Sequence, residues 1–113
     1  RCADVTGVQT CALPIYEYLE GRLPLYHVDL YRLTEADTDG LFLESYWEGI
    51  EYAPGIMAIE WAERLQFLPP EPLKIGLTYR QPTGRQVSLI PSTAPQTSLL
   101  EALTSDAILA HEV

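Results

Sequence analysis

Two short segments of the chain, His27-Val28-Asp29-Leu30-Tyr31-Arg32 and Ile56-Met57-Ala58-Ile59-Glu60-Trp61-Ala62-Glu63, each set an acid inside or at the end of an apolar run. A carboxylate in such surroundings loses hydration, which is costly unless a metal, a cation or hydrogen-bond donors compensate it, so two of them suggest a site. Ligands of open α/β sheets gather beyond the carboxyl ends of the strands, and Asp29 and Glu60 both fall late in strand-like runs. Plainer readings stand beside this one. Asp29 fits a strand carboxylate that pairs with Arg32 or caps a neighbouring turn, Glu60 fits a helix start stabilised by the helix dipole, and Trp61 fits a core position as well as a stacking one. His27 reads as a satisfied core histidine, and a zinc pair of His27 and Asp29 lacks a suitably spaced third protein ligand. Arg32 and Arg85 fit surface ion pairs or phosphate contacts, Tyr31 fits packing, and Glu63 fits a solvated helix.

The strand carrying Asp29 is expected from Leu23 to Tyr31. Tyr26, Val28 and Leu30 point one way and His27, Asp29 and Tyr31 the other, with Leu25 adding apolar surface to the second face, as in a strand covered on both sides. Thr34 and Asp37 have the spacing of a helix cap, Gly40 ends that turn, and Leu41 to Trp47 reads as a second short helix. Ala53-Pro54-Gly55 marks the connection to the second strand, Gly55 to Glu60, after which a helix is expected from Trp61 to Phe67, stopped by Pro69-Pro70. Beyond the prolines, Leu73, Ile75, Leu77 and Tyr79 alternate with Lys74, Gly76, Thr78 and Arg80, the pattern of a half-exposed strand. The turn Gln81-Pro82-Thr83-Gly84 leads into Arg85 to Ile90, which makes a β-hairpin at the edge of a sheet. Residues 91–97 read as a linker, and Ser98 with Glu101 has capping-box spacing for a short helix from Ser98 to Leu103.

The HxDxYR run at His27 to Arg32, the IEWxE strand end at Ile59 to Glu63 and the Gly84-Arg85 hairpin, in that order, resemble the TsaE family, the small ATPase of bacterial threonylcarbamoyl-adenosine tRNA modification. Residues 16–104 follow the family pattern, and Glu17-Tyr18 matches the pair that closes its switch-like segment. The family opens with a strand and a phosphate loop of the form GxxxxGK[ST], and no such run occurs in this chain. The fold class so implied is α/β, a P-loop NTPase-like sheet fragment lacking the first strand, phosphate loop and first helix, with an edge β-hairpin and a short C-terminal helix. The resemblance implies that Asp29 holds Mg²⁺, directly or through water, that Glu60 orients or deprotonates the attacking water, and that Trp61 stacks on the nucleotide or a neighbouring loop. It implies ATP binding and hydrolysis with Mg²⁺ in the parent protein, in support of partner subunits that place threonylcarbamoyl on the adenosine next to the tRNA anticodon. The chain as written, without the loop, is expected to bind neither ATP nor Mg²⁺ tightly. The competing class is a non-enzymatic acidic interaction module, and a third is a metal-dependent hydrolase using His27 and Asp29.

Val5 to Ile15 read like the in-frame translation of a common sequencing-library adapter. On that reading residues 1–15 are a non-native leader, residues 16–104 a partial ATPase domain and residues 105–113 a C-terminal tail. Cys2 and Cys11 both fall in the leader and are read neither as a disulfide nor as a metal site. At 113 residues, 47% apolar and 20% charged, the chain is one ordinary globular domain or part of one. With no bilayer-length apolar stretch and no secretory-type N-terminus, a cytoplasmic location without a membrane partner is expected. The net charge of −9, with Lys and Arg scattered, disfavours direct tRNA binding by this chain alone. The expected contacts are ATP through Mg²⁺ and basic patches on other protein subunits.

Overall fold

Leu25–Asp29 is the centre of a three-stranded sheet, and its alternation of Tyr26 and Val28 with His27 and Asp29 decides which side of that sheet is packed. The computed structural model describes residues 4–5, 8–9 and 14–105, which fall into two units divided between Pro69 and Pro70. Cys2 and Cys11 lie outside the described residues, as do residues 106–113 of the expected tail. At the start of the first unit, β1 (Asp4–Val5) and β2 (Val8–Gln9) pair antiparallel.

The main sheet has the order β3 (Ile15–Tyr18), β4 (Leu25–Asp29) and β5 (Ile56–Glu60). The first pair is antiparallel, with Ile15 opposite Val28 and Tyr18 opposite Leu25. The second is parallel, with Leu25 opposite Ile56 and Asp29 opposite Glu60. A parallel pair needs a crossover, and residues 30–55 supply it with α1 (Glu35–Asp39) and α2 (Glu44–Trp47). Where the crossover returns, Ile56 donates its N–H to the Pro24 carbonyl at 2.8 Å. A Cβ on Gly55 would collide with that same carbonyl, so only glycine permits this approach.

The core lies on one face. Ile15, Tyr26, Val28, Leu30, Leu43 and Tyr46 are buried together, with Leu33, Leu41, Trp47, Tyr52, Met57, Ile59 and Leu65 packed around them. Each fully buried side chain of this size is worth roughly 1.5–3 kcal/mol relative to exposure. Tyr46 and Tyr52 stack at 4.1 Å, both meet the Tyr26 ring edge to face, and the Tyr26 hydroxyl donates to the Ala53 carbonyl at 2.8 Å. The expectation of a strand covered on both sides is corrected here. On the second face Tyr16, Tyr18, Leu25 and Ile56 are exposed among the described residues.

Two helices differ from expectation. The helix expected from Trp61 to Phe67 is only a 3-10 turn at Ala62–Arg64, because Trp61 takes a left-handed backbone (φ 61°) and Leu65 is already extended. In the second unit β6 (Lys74–Tyr79) and β7 (Arg85–Ile90) form the expected antiparallel hairpin, a two-stranded sheet with Ile75 opposite Leu89 and Leu77 opposite Val87. The helix expected from Ser98 begins earlier, as α3 (Ala94–Ser105), and takes up part of the expected linker. Thr93 is its cap, accepting the Gln96 N–H at its hydroxyl (3.3 Å) and the Thr97 N–H at its carbonyl (3.0 Å). Pro95 sits in the first turn, where its missing N–H costs nothing.

The cap of α1 is a full capping box. Thr34 Oγ1 accepts the Asp37 N–H at 3.3 Å, and Asp37 Oδ2 accepts both the Thr34 N–H (3.0 Å) and hydroxyl (2.9 Å). These backbone and hydroxyl donors from Thr34 lower the Asp37 pKa below its ordinary 3.8. A lowered folded value means that the Asp37 contribution to stability is present above the ordinary aspartate value and is lost as pH falls through the lowered one. In a carboxyl-detected NMR titration Asp37 is expected to titrate below the ordinary aspartate range. In Thr34→Ala its midpoint is expected to move back up.

Candidate functional site

Parallel pairing places directly opposed residues on the same face, so Asp29 and Glu60 stand side by side at the carboxyl ends of β4 and β5. Two like charges in that position repel, and the two side chains are held by different partners. Asp29 Oδ1 accepts the Tyr31 N–H at 3.0 Å, just past the strand end. Glu60 leans the other way, and its Oε2 meets His27 Nε2 at 2.6 Å. His27 is opposite Ala58, whose single methyl leaves the diagonal open between His27 and Glu60. On the other side of His27 the Tyr16 ring lies tilted at 6.2 Å between centroids. Main-chain bonds fix the strand ends themselves. The Asp29 N–H donates to the Pro14 carbonyl at 3.1 Å and the Leu30 N–H to the Glu60 carbonyl at 3.2 Å.

Trp61 follows Glu60 and is 46% exposed. Its ring lies 4.9 Å from that of Tyr31, tilted by 48°, and the Arg64 guanidinium is 5.8 Å from its centroid. Arg64 also donates from Nη1 to the Leu33 carbonyl at 3.0 Å, tying the 3-10 turn to the segment before α1. Its Nε is buried with no hydrogen-bond partner among the described residues. Tyr31 and Trp61 thus form one aromatic ledge next to the two carboxylates.

The structure therefore brings Asp29, Glu60 and Trp61 to one end of one sheet. Asp29 caps a turn through the Tyr31 N–H, as one of its plainer readings had it, and its second oxygen has no partner among the described residues. The helix-start reading of Glu60 falls with the helix from Trp61 to Phe67. His27 is only half-buried and bonded to Glu60, so it is part of the site and not a core residue. Shared strand parity with Asp29 was the signal for it. Arg64 was missed altogether, and its three-residue spacing from Trp61 was the available clue. Arg85 lies over the Tyr79 ring of its own hairpin at 4.0 Å and donates to the Gly84 carbonyl. Glu63 is exposed, as expected.

Among the described residues no three His, Cys, Asp or Glu side chains cluster as a metal cage. The donor set suits a different arrangement. Mg²⁺ is usually held by one or two carboxylates together with substrate phosphates and water, and Asp29 offers one hard oxygen at a strand end for that purpose.

Residues 11–87 match the family model described as threonylcarbamoyl adenosine biosynthesis protein TsaE. The tRNA threonylcarbamoyladenosine biosynthesis protein TsaE of Nostoc sp. (strain PCC 7120) is 52% identical over 77 residues, covering 68% of this chain and 48% of that protein. The protein of the same description from Bacillus subtilis (strain 168) is 42% identical over 75 residues, covering 66% of this chain and 44% of that protein. The chain thus spans about half the length of these relatives. The crystal structure of Bacillus subtilis YdiB aligns with a TM-score of 0.56 and 26% identity over 87% of this chain and 60% of that one. The mixed α/β, P-loop NTPase-like fold expected from the sequence is the one shared with that structure.

The left-handed Trp61 backbone gives the site a testable energetic signature. Glycine relieves the left-handed strain and alanine does not, while both remove the ring. In urea denaturation Trp61→Gly is expected to be more stable than Trp61→Ala by about 1 kcal/mol. The reverse order would mean that this backbone is not strained.

Proposed function

The chain belongs to the TsaE family, and we propose that its two strand-end carboxylates serve an ATPase that supports threonylcarbamoyl-adenosine modification of tRNA. The observation that carries this reading is the side-by-side placement of Asp29 and Glu60 at the ends of adjacent parallel strands. That is where open α/β sheets bind their ligands. The roles divide according to how each acid is held. Asp29, with one oxygen on the Tyr31 N–H, presents the other as the Mg²⁺ ligand. When bound, Mg²⁺ neutralises charge on the phosphate oxygens. Glu60, with Oε2 on His27, uses Oε1 to orient and accept a proton from the attacking water. Trp61 and Tyr31 give an aromatic surface for the nucleotide or for a neighbouring loop. The ATPase works with other protein subunits of the modification machinery and does not itself transfer the threonylcarbamoyl group. The net charge of −9 favours contact with basic protein surfaces over direct contact with tRNA.

In the full-length protein, assayed with Mg²⁺ and ATP, Asp29→Ala and Glu60→Ala are each expected to lower turnover by on the order of 100-fold or more. Turnover retained in either variant would remove that residue from the reaction.

The 113-residue chain taken alone contains no GxxxxGK[ST] run. Phosphate binding by such a loop uses several backbone N–H groups and a lysine, at about 1.5–3 kcal/mol for each charge-assisted bond. Losing three costs on the order of 5–9 kcal/mol, enough to turn micromolar affinity into millimolar or weaker. A titration with fluorescent ATP analogue and Mg²⁺ is expected to show no saturable micromolar binding. Such binding, if seen, would mean that the phosphates are held by other residues.

A further inference from the structure

We propose that His27 is the positioning residue of Glu60, an inference that rests on the role assigned to Glu60 above. The contact is 2.6 Å between His27 Nε2 and Glu60 Oε2. An ionised carboxylate only accepts hydrogen bonds, so the proton in this contact sits on Nε2 and the imidazole donates. Strand geometry makes the pair specific. His27 and Glu60 project from one sheet face on neighbouring strands, two positions out of register, and Ala58 is the residue between them on that face. Without His27, Glu60 would stand beside the Asp29 carboxylate with no donor to draw it away, and a glutamate has three side-chain torsions free to carry it elsewhere. The imidazole thus selects one Glu60 rotamer, parts the two acids, and leaves Oε1 as the oxygen that faces water. The tilted Tyr16 ring lies on the other side of the imidazole, 6.2 Å away between centroids.

The role predicts a turnover defect without a binding defect. In the full-length protein, His27→Ala is expected to lower kcat on the order of 10- to 100-fold, the scale of loss when a reacting group is slightly misplaced, with KM for ATP and the melting temperature little changed. His27→Gln, whose amide N–H can reach the same oxygen, is expected to restore most of the loss. Adding His27→Ala to Glu60→Gln should cost nothing further, because the two residues act as one unit. A full multiplicative loss in that double variant would overturn the inference, and so would wild-type kcat in His27→Ala while Glu60→Ala is inactive. Turnover retained in Glu60→Ala would instead remove the role on which the inference rests. A readout independent of turnover is the imidazole ¹⁵N spectrum at fixed pH. The proton is expected on Nε2, with a Nε2 shift that changes in Glu60→Ala, whereas a proton on Nδ1 alone with no response at Nε2 would also overturn it.

Discussion

Two carboxylates stand side by side where β4 and β5 end, and each is held by a donor of its own. Parallel pairing in this register puts Asp29 and Glu60 on one face, which an ordinary sheet would avoid. Their donors lie in opposite directions along the strands. A main-chain N–H two residues ahead draws Asp29 forward, and an imidazole on the neighbouring strand draws Glu60 back. The two anions end up in different electrostatic settings, one beside a backbone dipole and the other beside a ring that carries a proton. Chemical roles that differ between two like residues begin with such a difference in surroundings.

The packing keeps stability and chemistry on opposite sides of the sheet. Tyr26, Val28 and Leu30 anchor β4 to the tyrosine cluster of the crossover, while the odd-numbered residues of the same strand carry the polar groups. The ladder of the sheet then transmits the rigidity of the packed side to the other, since a strand whose alternate side chains are locked cannot slide. His27, only half-buried itself, gains its fixed position from neighbours that are fully buried.

How far the sequence showed this depended on the kind of signal. The strand at Asp29 was legible from alternation, the one at Glu60 from an apolar run after the Pro54-Gly55 break, the cap at Thr34 and Asp37 from spacing, and the hairpin from the turn at Gln81 to Gly84. The helix after Glu60 was misread because a left-handed tryptophan is a tertiary outcome. The ring is held against Tyr31 and Arg64, and no local propensity announces that. The start of α3 was missed at Thr93 because the surrounding prolines and serines look like a linker, although Thr93 and Gln96 have capping spacing. Asp29 and Glu60 were found as isolated acids in apolar runs. Their link to His27 was hidden, because it needs the register of a parallel pair, and register is not written in either strand alone.

Register has a source in this chain, and it lies far from the carboxylates. Gly55 passes so close to Pro24 that the absence of a side chain sets where β5 first meets β4. From that point the pairing counts forward residue by residue to Glu60. A slip of one residue would turn every β5 side chain over, sending Glu60 toward the tyrosines and Ile59 into water. One hydrogen atom in place of a methyl group, five residues upstream, thus acts as the ruler by which the second acid is delivered to the side of the first.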